Sequence, residues 1–512
     1  MQNGGMTAND NLFVALRDAF PSDRDSVAIE TTGDSPLYYR WNDLDRATAR
    51  IANLLQGPGL PAGSRVAAHV DKSVEALMLY LAVLRAGFTY LPLNPAYKAG
   101  ELGHFLRDAE PAVVVCAGAN FGWVSKLAFT SGVAHVFTLN TDRTGSLLER
   151  ASFQPDTHEP AVRSASDLAV ILYTSGTTGR SKGAMLTHGN MLSNARTLKA
   201  FWAWQPGDVL IHALPIFHIH GLFVACHGAL LNGSRTIWFD RFEPGPVRAR
   251  FKDATVFMGV PTMYVRLLAD PGLTPDACRS MRLFVSGSAP LLAETFREWQ
   301  ARTGHTLLER YGMSETVMLT SNPYEGERRA GTVGRPLPGV DVRIASPDAD
   351  SGNGGIEVRG PNVFAGYWRL PEKTKEEFTA DGWFRTGDVG RVDGDGYVHI
   401  VGRAKDLVIS GGFNVYPAEV EATLDELPGV AESAVIGVPH PDFGEAVVAV
   451  LVPRPGAALD GDTIVNAVKT RLAGFKVPKR VFVVDELPRN AMGKVQKKAL
   501  RDQHQHLFMP VA

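Results

Sequence analysis

Ten residues, Thr174-Ser175-Gly176-Thr177-Thr178-Gly179-Arg180-Ser181-Lys182-Gly183, constrain this chain more than any other stretch. They follow Leu168-Ala169-Val170-Ile171-Leu172-Tyr173, an apolar run of strand character. A loop of glycines and hydroxyl residues around one lysine has almost nothing apolar to bury. It offers backbone N–H groups, hydroxyls and an ammonium, which are the donors a polyphosphate takes. Gly-x-x-x-x-Gly-Lys-Ser/Thr fits it in no register, so it is not a Walker-type loop. A flexible linker would not abut a buried strand and hold one lysine among its glycines.

The rest of the chain reads as a frame for such a loop. At 512 residues it exceeds what one core serves, so two or more domains are expected. A composition of 45% hydrophobic and 21% charged residues is that of an ordinary globular protein. The net charge of −2 supplies no field toward nucleic acid or a membrane. No apolar run approaches the roughly 20 residues a bilayer span needs. The opening Met1-Gln-Asn-Gly-Gly-Met6 lacks a basic then apolar region, so no secretory signal is expected. Cys116, Cys226 and Cys278 have neither disulfide nor metal-ligand spacing. Together these features predict a cytoplasmic protein.

Segments 208–213, 254–259 and 282–286 read as buried parallel strands, each followed by a Pro or Gly turn and then an amphipathic stretch such as 291–302. That is the βαβ pattern of an α/β domain, whose ligands bind beyond the carboxyl ends of the strands. In the 340s and 350s, Pro347 to Gly355 reads as a surface turn region. After about Gly402 the pattern changes. Helices at 418–427 and 463–472, with strands at 433–438, 446–452 and 480–485, predict a compact α+β unit. The expected division is 1–402 and 403–512. Segment 476–501 is basic (Lys476, Lys479, Arg480, Arg489, Lys494, Lys497, Lys498, Arg501), which suits either a solvated face or a surface toward phosphates.

Five later runs stand in order behind the first: Gly287-Ser288-Ala289-Pro290, Tyr311-Gly312-Met313-Ser314-Glu315, Thr386-Gly387-Asp388, Gly402-Arg403-Ala404-Lys405-Asp406 and Pro488-Arg489-Asn490-Ala491-Met492-Gly493-Lys494. With the loop at 174–183 they resemble the signatures of the adenylate-forming superfamily of acyl-CoA synthetases, luciferases and adenylation domains. The resemblance covers essentially the whole chain. It implies a large α/β nucleotide-binding domain and a small mobile α+β domain. It also implies an ATP-dependent acid–thiol ligation through an acyl adenylate.

Thr174, Ser175, Gly176, Thr177, Thr178 and Lys182 are the expected phosphate cradle. Glu315 beside a triphosphate implies a hard cation between them, and the resemblance makes it the Mg²⁺ ligand. The plainer reading is an acid at a helix N-terminus. Asp388 is expected to accept both ribose hydroxyls, with Arg403 beside it; its plainer reading is an Asx-turn residue. Gly287, Ser288, Ala289 and Tyr311 are the expected adenine slot, and Glu309, Gly312, Met313 and Ser314 complete the nucleotide set. Attack on the α-phosphorus needs charge stabilisation, which Lys494 in its Gly-Lys turn suits. The resemblance makes Lys405 the hinge, and Ser410, Gly411 and Gly412 the lining of a coenzyme A tunnel. No Ser-His-Asp or Cys-His nucleophile set is evident in the sequence.

Arg310, directly before Tyr311, points to the acid. A buried guanidinium must meet an anion. Arg266 and His218 are expected near it, with Ser286, and His218 is placed in catalysis as well. Two arginines and a histidine suit a short dicarboxylate held bidentately at its far end. The plainer reading pairs Arg310 with Glu309. The stretches around His218, Met258 and Arg310 resemble the malonate-activating members of the superfamily. The substrates expected are therefore malonate, ATP and coenzyme A, with methylmalonate or another short acid next, for a monomer or weak homodimer. An adenylation enzyme loading a carrier protein and a nucleotide sensor are the rival readings.

Overall fold

The computed structural model describes residues 9–174, 181–349, 351–411, 413–490 and 493–508. Two large sheets face each other. The first runs in the order Gly366–Tyr367, Lys182–Thr187, Leu168–Thr174, Thr89–Pro92, Arg65–His69, Val113–Cys116, His135–Thr138. The second runs Arg335–Pro336, Val317–Ser321, Leu308–Met313, Leu283–Ser286, Val256–Gly259, Val209–His212, Arg235–Trp238, Val27–Thr31, Tyr38–Arg40. Their central strands are parallel and apolar, as burial on both faces requires. Helix Val74–Arg85, capped by Ser73, is buried along its whole length. A helix apolar all round belongs in a central layer, and its residues share one core with strands of both sheets.

The strands at 208–213, 254–259 and 282–286 form where the sequence places them, and the loops after them share one carboxyl edge. The glycine-rich run joins Leu168–Thr174 to Lys182–Thr187 in an antiparallel pair, with Thr174 opposite Lys182. One feature differs from expectation: the βαβ pattern stops earlier. Asp341–Ala345, Gly354–Arg359, Phe384–Val392 and Val398–Arg403 form an antiparallel four-stranded sheet, and the expected turn at 347–355 gives up Gly354 and Gly355 to a strand. These strands are half buried and interrupted by charges, and cross-strand pairing selects them.

Beyond Arg403, helix Pro417–Asp425 packs on a sheet ordered Phe413–Val415, Val408–Ser410, Gly444–Pro453, Val430–His440, with Arg480–Val483 parallel to Gly444–Pro453. This unit has two apolar clusters of its own. It touches the large unit through an Arg454–Glu294 ion pair of 2.6 Å and through Gly493, whose Cα faces Thr262. Among the described residues no helix is long and apolar enough to cross a membrane.

Candidate active site

The strand Leu308–Met313 carries both halves of the site. It pairs with Val317–Ser321 through a tight turn, 314–316. Tyr311, at the edge of this strand, donates its hydroxyl proton to the Asp388 carboxylate. Asp388 lies opposite Arg403 in the register of the four-stranded sheet, and its Oδ1 is 2.8 Å from the Arg403 Nε. Its carboxylate is thus committed to side chains from two other strands rather than to its own turn, against the Asx reading. Glu315 sits in the 314–316 turn with no helix behind it, so a helix terminus does not explain it. It is 5% exposed, accepts from the Tyr367 hydroxyl at 3.0 Å, and burial raises its pKa. Lys182 lies 4.1 Å over the Tyr367 ring and 3.4 Å from Glu377 Oε1. Thr174 Oγ1 is 3.4 Å from the Lys182 carbonyl. Ser175, Gly176, Thr177 and Thr178 lie outside the described residues, as does Gly412.

Tyr367 and Glu377 were not singled out in the sequence. The contact between Lys182 and Glu377 spans 195 positions, and nothing local to either residue announces it.

The other half looks different. Arg310 is 3% exposed, its Nε and Nη2 have no hydrogen-bond partner, and no ion pair reaches its guanidinium among the described residues. Burial lowers its pKa to about 9, against the favourable charges of Tyr264 and Glu309. The pairing with Glu309 is not formed, because successive strand residues face opposite ways. Leu308 joins one apolar cluster and Leu307 the other, so Arg310 and Glu309 leave the sheet on opposite faces. Glu309 Oε1 accepts from the Leu291 backbone at 3.2 Å, which ties down the loop of Gly287, Ser288 and Ala289. Its Oε2 is unpartnered, and burial raises its pKa to about 8.

His218 follows the strand Val209–His212, and its buried Nδ1 has no partner. Desolvation, then the charges of Arg310 and Lys494, lower its pKa to about 4, so it is neutral at pH 7. His220 Nδ1 meets Ser288 Oγ at 3.3 Å, and His212 stacks on Trp238 at 4.6 Å, which places both in the frame.

Two expectations for this pocket need correction. Arg266 is exposed on helix Pro261–Leu268, with its guanidinium 5.2 Å from the centre of the Phe242 ring. The helical period turns the buried Tyr264 inward and position 266 out. Ser286 pairs in register with Glu309, so its fully buried, unpartnered Oγ lies on the Glu309 face of the sheet and not with Arg310.

Lys494 stands between the two halves. Its backbone N–H donates to Asn490 Oδ1 at 3.0 Å, and Gly493 holds φ at +73° to close the turn. It retains exposed surface, but desolvation and then Arg403 pull its ammonium below the usual lysine range, while Asp388 acts the other way. Its charge also depresses His218. The Lys494 charge therefore acts on both the Asp388–Arg403 pair and His218.

Lys405, exposed in the turn Ala404–Asp406, has its pKa lowered to about 8 by desolvation and Arg403. Ser410 is buried; Gly411 donates its N–H to the Phe443 carbonyl at 2.9 Å. Lys479 lies 5.1 Å over Phe443, and Phe413 stacks on Phe475 at 4.6 Å. The basic segment is mostly structural. Lys476, Arg489, Lys497, Lys498 and Arg501 pair with Glu419, Glu432, Glu421, Asp502 and Asp406, which leaves Lys479, Arg480 and Lys494 without ion pairs among the described residues.

Residues 18–368 match the family described as AMP-binding enzyme, and residues 419–494 match the AMP-binding enzyme C-terminal domain. A malonate–CoA ligase of Arabidopsis thaliana is 36% identical over 93% of this chain and 86% of its own length. A feruloyl-CoA synthase of an Amycolatopsis species is 38% identical over 92% of this chain and 94% of its own. The crystal structure of ATP-bound MatB from Rhodopseudomonas palustris superposes with a TM-score of 0.94 at 52% identity, covering 98% of this chain and 100% of that one.

Proposed function

The chain belongs to the AMP-binding enzyme family, and on that premise we propose that it joins malonate to coenzyme A, using ATP and forming a malonyl adenylate on the way. The observation that carries the choice of acid is Arg310. A buried guanidinium without an ion pair is costly unless the ligand brings the counter-charge. Ferulate, the acid named for one relative, brings no second carboxylate.

In the first step a malonate carboxylate oxygen bonds to the α-phosphorus of ATP and pyrophosphate leaves. Lys182 and the glycine-rich run hold the phosphates; Asp388, Arg403 and Tyr311 hold the nucleoside. Glu315 offers a buried carboxylate with one protein donor, which fits a hard cation bound to phosphate oxygens. Mg²⁺ there would supply positive charge to the triphosphate. Lys494 bridges the reacting carboxylate and the α-phosphate, a role supported by its electrostatic coupling to both Asp388 and His218. Arg310 takes the far carboxylate, and neutral His218 donates a hydrogen bond to malonate.

In the second step the coenzyme A thiolate bonds to the acyl carbon and AMP leaves. We place the division of the chain at 402/403 and the hinge at Lys405, so that the small unit turns Lys494 away and brings Ser410 and Gly411 to the adenylate. Phe443 beside Gly411, under Lys479, supports a nucleotide-bearing thiol at that face. The reaction is placed in the cytoplasm.

The test is pyrophosphate release with malonate, methylmalonate, propionate and ferulate, with and without coenzyme A. Malonate-dependent AMP, pyrophosphate and free malonyl-CoA are expected. Preference for a monoacid overturns the assignment of malonate, and acyl transfer only to a carrier protein overturns the assignment of coenzyme A.

A further inference from the structure

Gly287 ends the strand Leu283–Ser286 and opens the loop that Glu309 ties down. Its backbone does not require glycine. Its φ is not positive, whereas the next residue, Ser288, adopts +75° with a side chain. Space requires it. A Cβ at 287 would stand 2.6 Å from both Nε and Nη1 of Arg310, and closer still to Cζ. The bare face of Gly287 is the seat of the guanidinium.

We propose that Gly287 is a specificity-determining residue, which sets the position of Arg310 and so selects diacids over monoacids. The proposal rests on the reading of Arg310 as the clamp for the far carboxylate. A bidentate guanidinium–carboxylate pair needs two N–H groups in a fixed plane. The three atoms nearest a methyl at 287 all belong to the tip of one long side chain, so the chain folds and the guanidinium moves. Its fork then no longer meets a carboxylate placed by Lys494 and the α-phosphate. A monoacid loses nothing by that shift, because it has no far carboxylate to align.

Gly287 also lies where adenine is expected, so the experiment separates the two effects by a double-mutant cycle. The kcat/KM for malonate and for propionate is measured in Gly287→Ala, Arg310→Met and the double variant. Gly287→Ala is expected to lower the malonate-to-propionate ratio by about tenfold or more. In the Arg310→Met background the same change is expected to move that ratio by less than about twofold, because the clashing group is gone. A Gly287→Ala enzyme with the wild-type ratio overturns the proposal, as does an equal loss in both backgrounds. So does a melting temperature so low that the variant does not fold, since the arginine tip would then not have yielded. If Arg310→Met itself keeps wild-type malonate kinetics, the diacid reading fails; if only Gly287→Ala does, this inference fails alone.

Discussion

The two halves of the site settle their charges in opposite ways. In the nucleotide half each described charge has a protein partner: Lys182 has Glu377 and the Tyr367 ring, Asp388 has Arg403 and Tyr311, and Glu315 has Tyr367. In the acyl half Arg310 and His218 have none at their buried atoms. A self-satisfied half resembles a spring held closed, since its ligand must displace internal bonds. An unsatisfied half stores desolvation cost that only an anion relieves. On the proposed reading, affinity for ATP is buffered and discrimination between acids is concentrated at one guanidinium.

Lys494→Ala tests the junction of the halves and carries the largest expected effect. Malonate-dependent pyrophosphate exchange should fall by about 10²–10³-fold, because the lost contact acts in the transition state. Malonyl-AMP supplied with coenzyme A should still give malonyl-CoA. Collapse of both steps would remove Lys494 from its bridging role.

Arg310→Met should raise the malonate KM by about 10²-fold while raising the melting temperature, since it removes a buried charge that nothing in the empty protein pays for. A lower melting temperature would mean that Arg310 is already compensated and would erase the contrast. Asp388→Ala should behave oppositely, with both ATP affinity and stability falling, because Arg403 and Tyr311 lose their acceptor. After discount for the solvent contact of Arg403, the stability loss is on the order of 2 kcal/mol. Calorimetry and thermal melts read both quantities.

Glu377→Gln should tighten ATP by about two- to fivefold, the size of a partly exposed ion pair that ATP no longer has to displace. Weaker ATP binding in that variant would make Glu377 a ligand-side group rather than a placeholder. The smallest effect is a pH slope. Burial raises the Glu309 pKa from 4.5 to about 8. Between those values the folded state holds a proton that the unfolded state has released, so this contribution to stability is full below pH 4.5 and is lost as pH rises to about 8. Glu309→Gln should flatten the decline in melting temperature across that window; an unchanged slope would show that Glu309 is ionised in the fold.

Much of the frame was legible because its signals are local. Apolar runs at 208–213 and 254–259 and the Gly-Lys turn at Lys494 each need only neighbouring residues. What was misread concerned direction. Arg266 is of a suitable type and one helical turn into its segment, but the phase of its helix turns it to solvent. Ser286 is one residue before Gly287, yet strand alternation sends it to the other face. The antiparallel strands at 341–403 are short and half buried, so their pattern does not stand out before they pair.

By itself the sequence determined that this is an α/β chain of adenylate-forming chemistry with a small second unit, because motif spacing and residue type are properties of the line. Only the tertiary structure decided that Lys182 rests against Glu377 across 195 positions, that Asp388 is shared by Tyr311 and Arg403, and that Arg310 remains unpaired beside a glycine shaped to receive it. Charge compensation depends on which groups lie within a few ångströms in a low dielectric, and that distance exists only once the chain has folded.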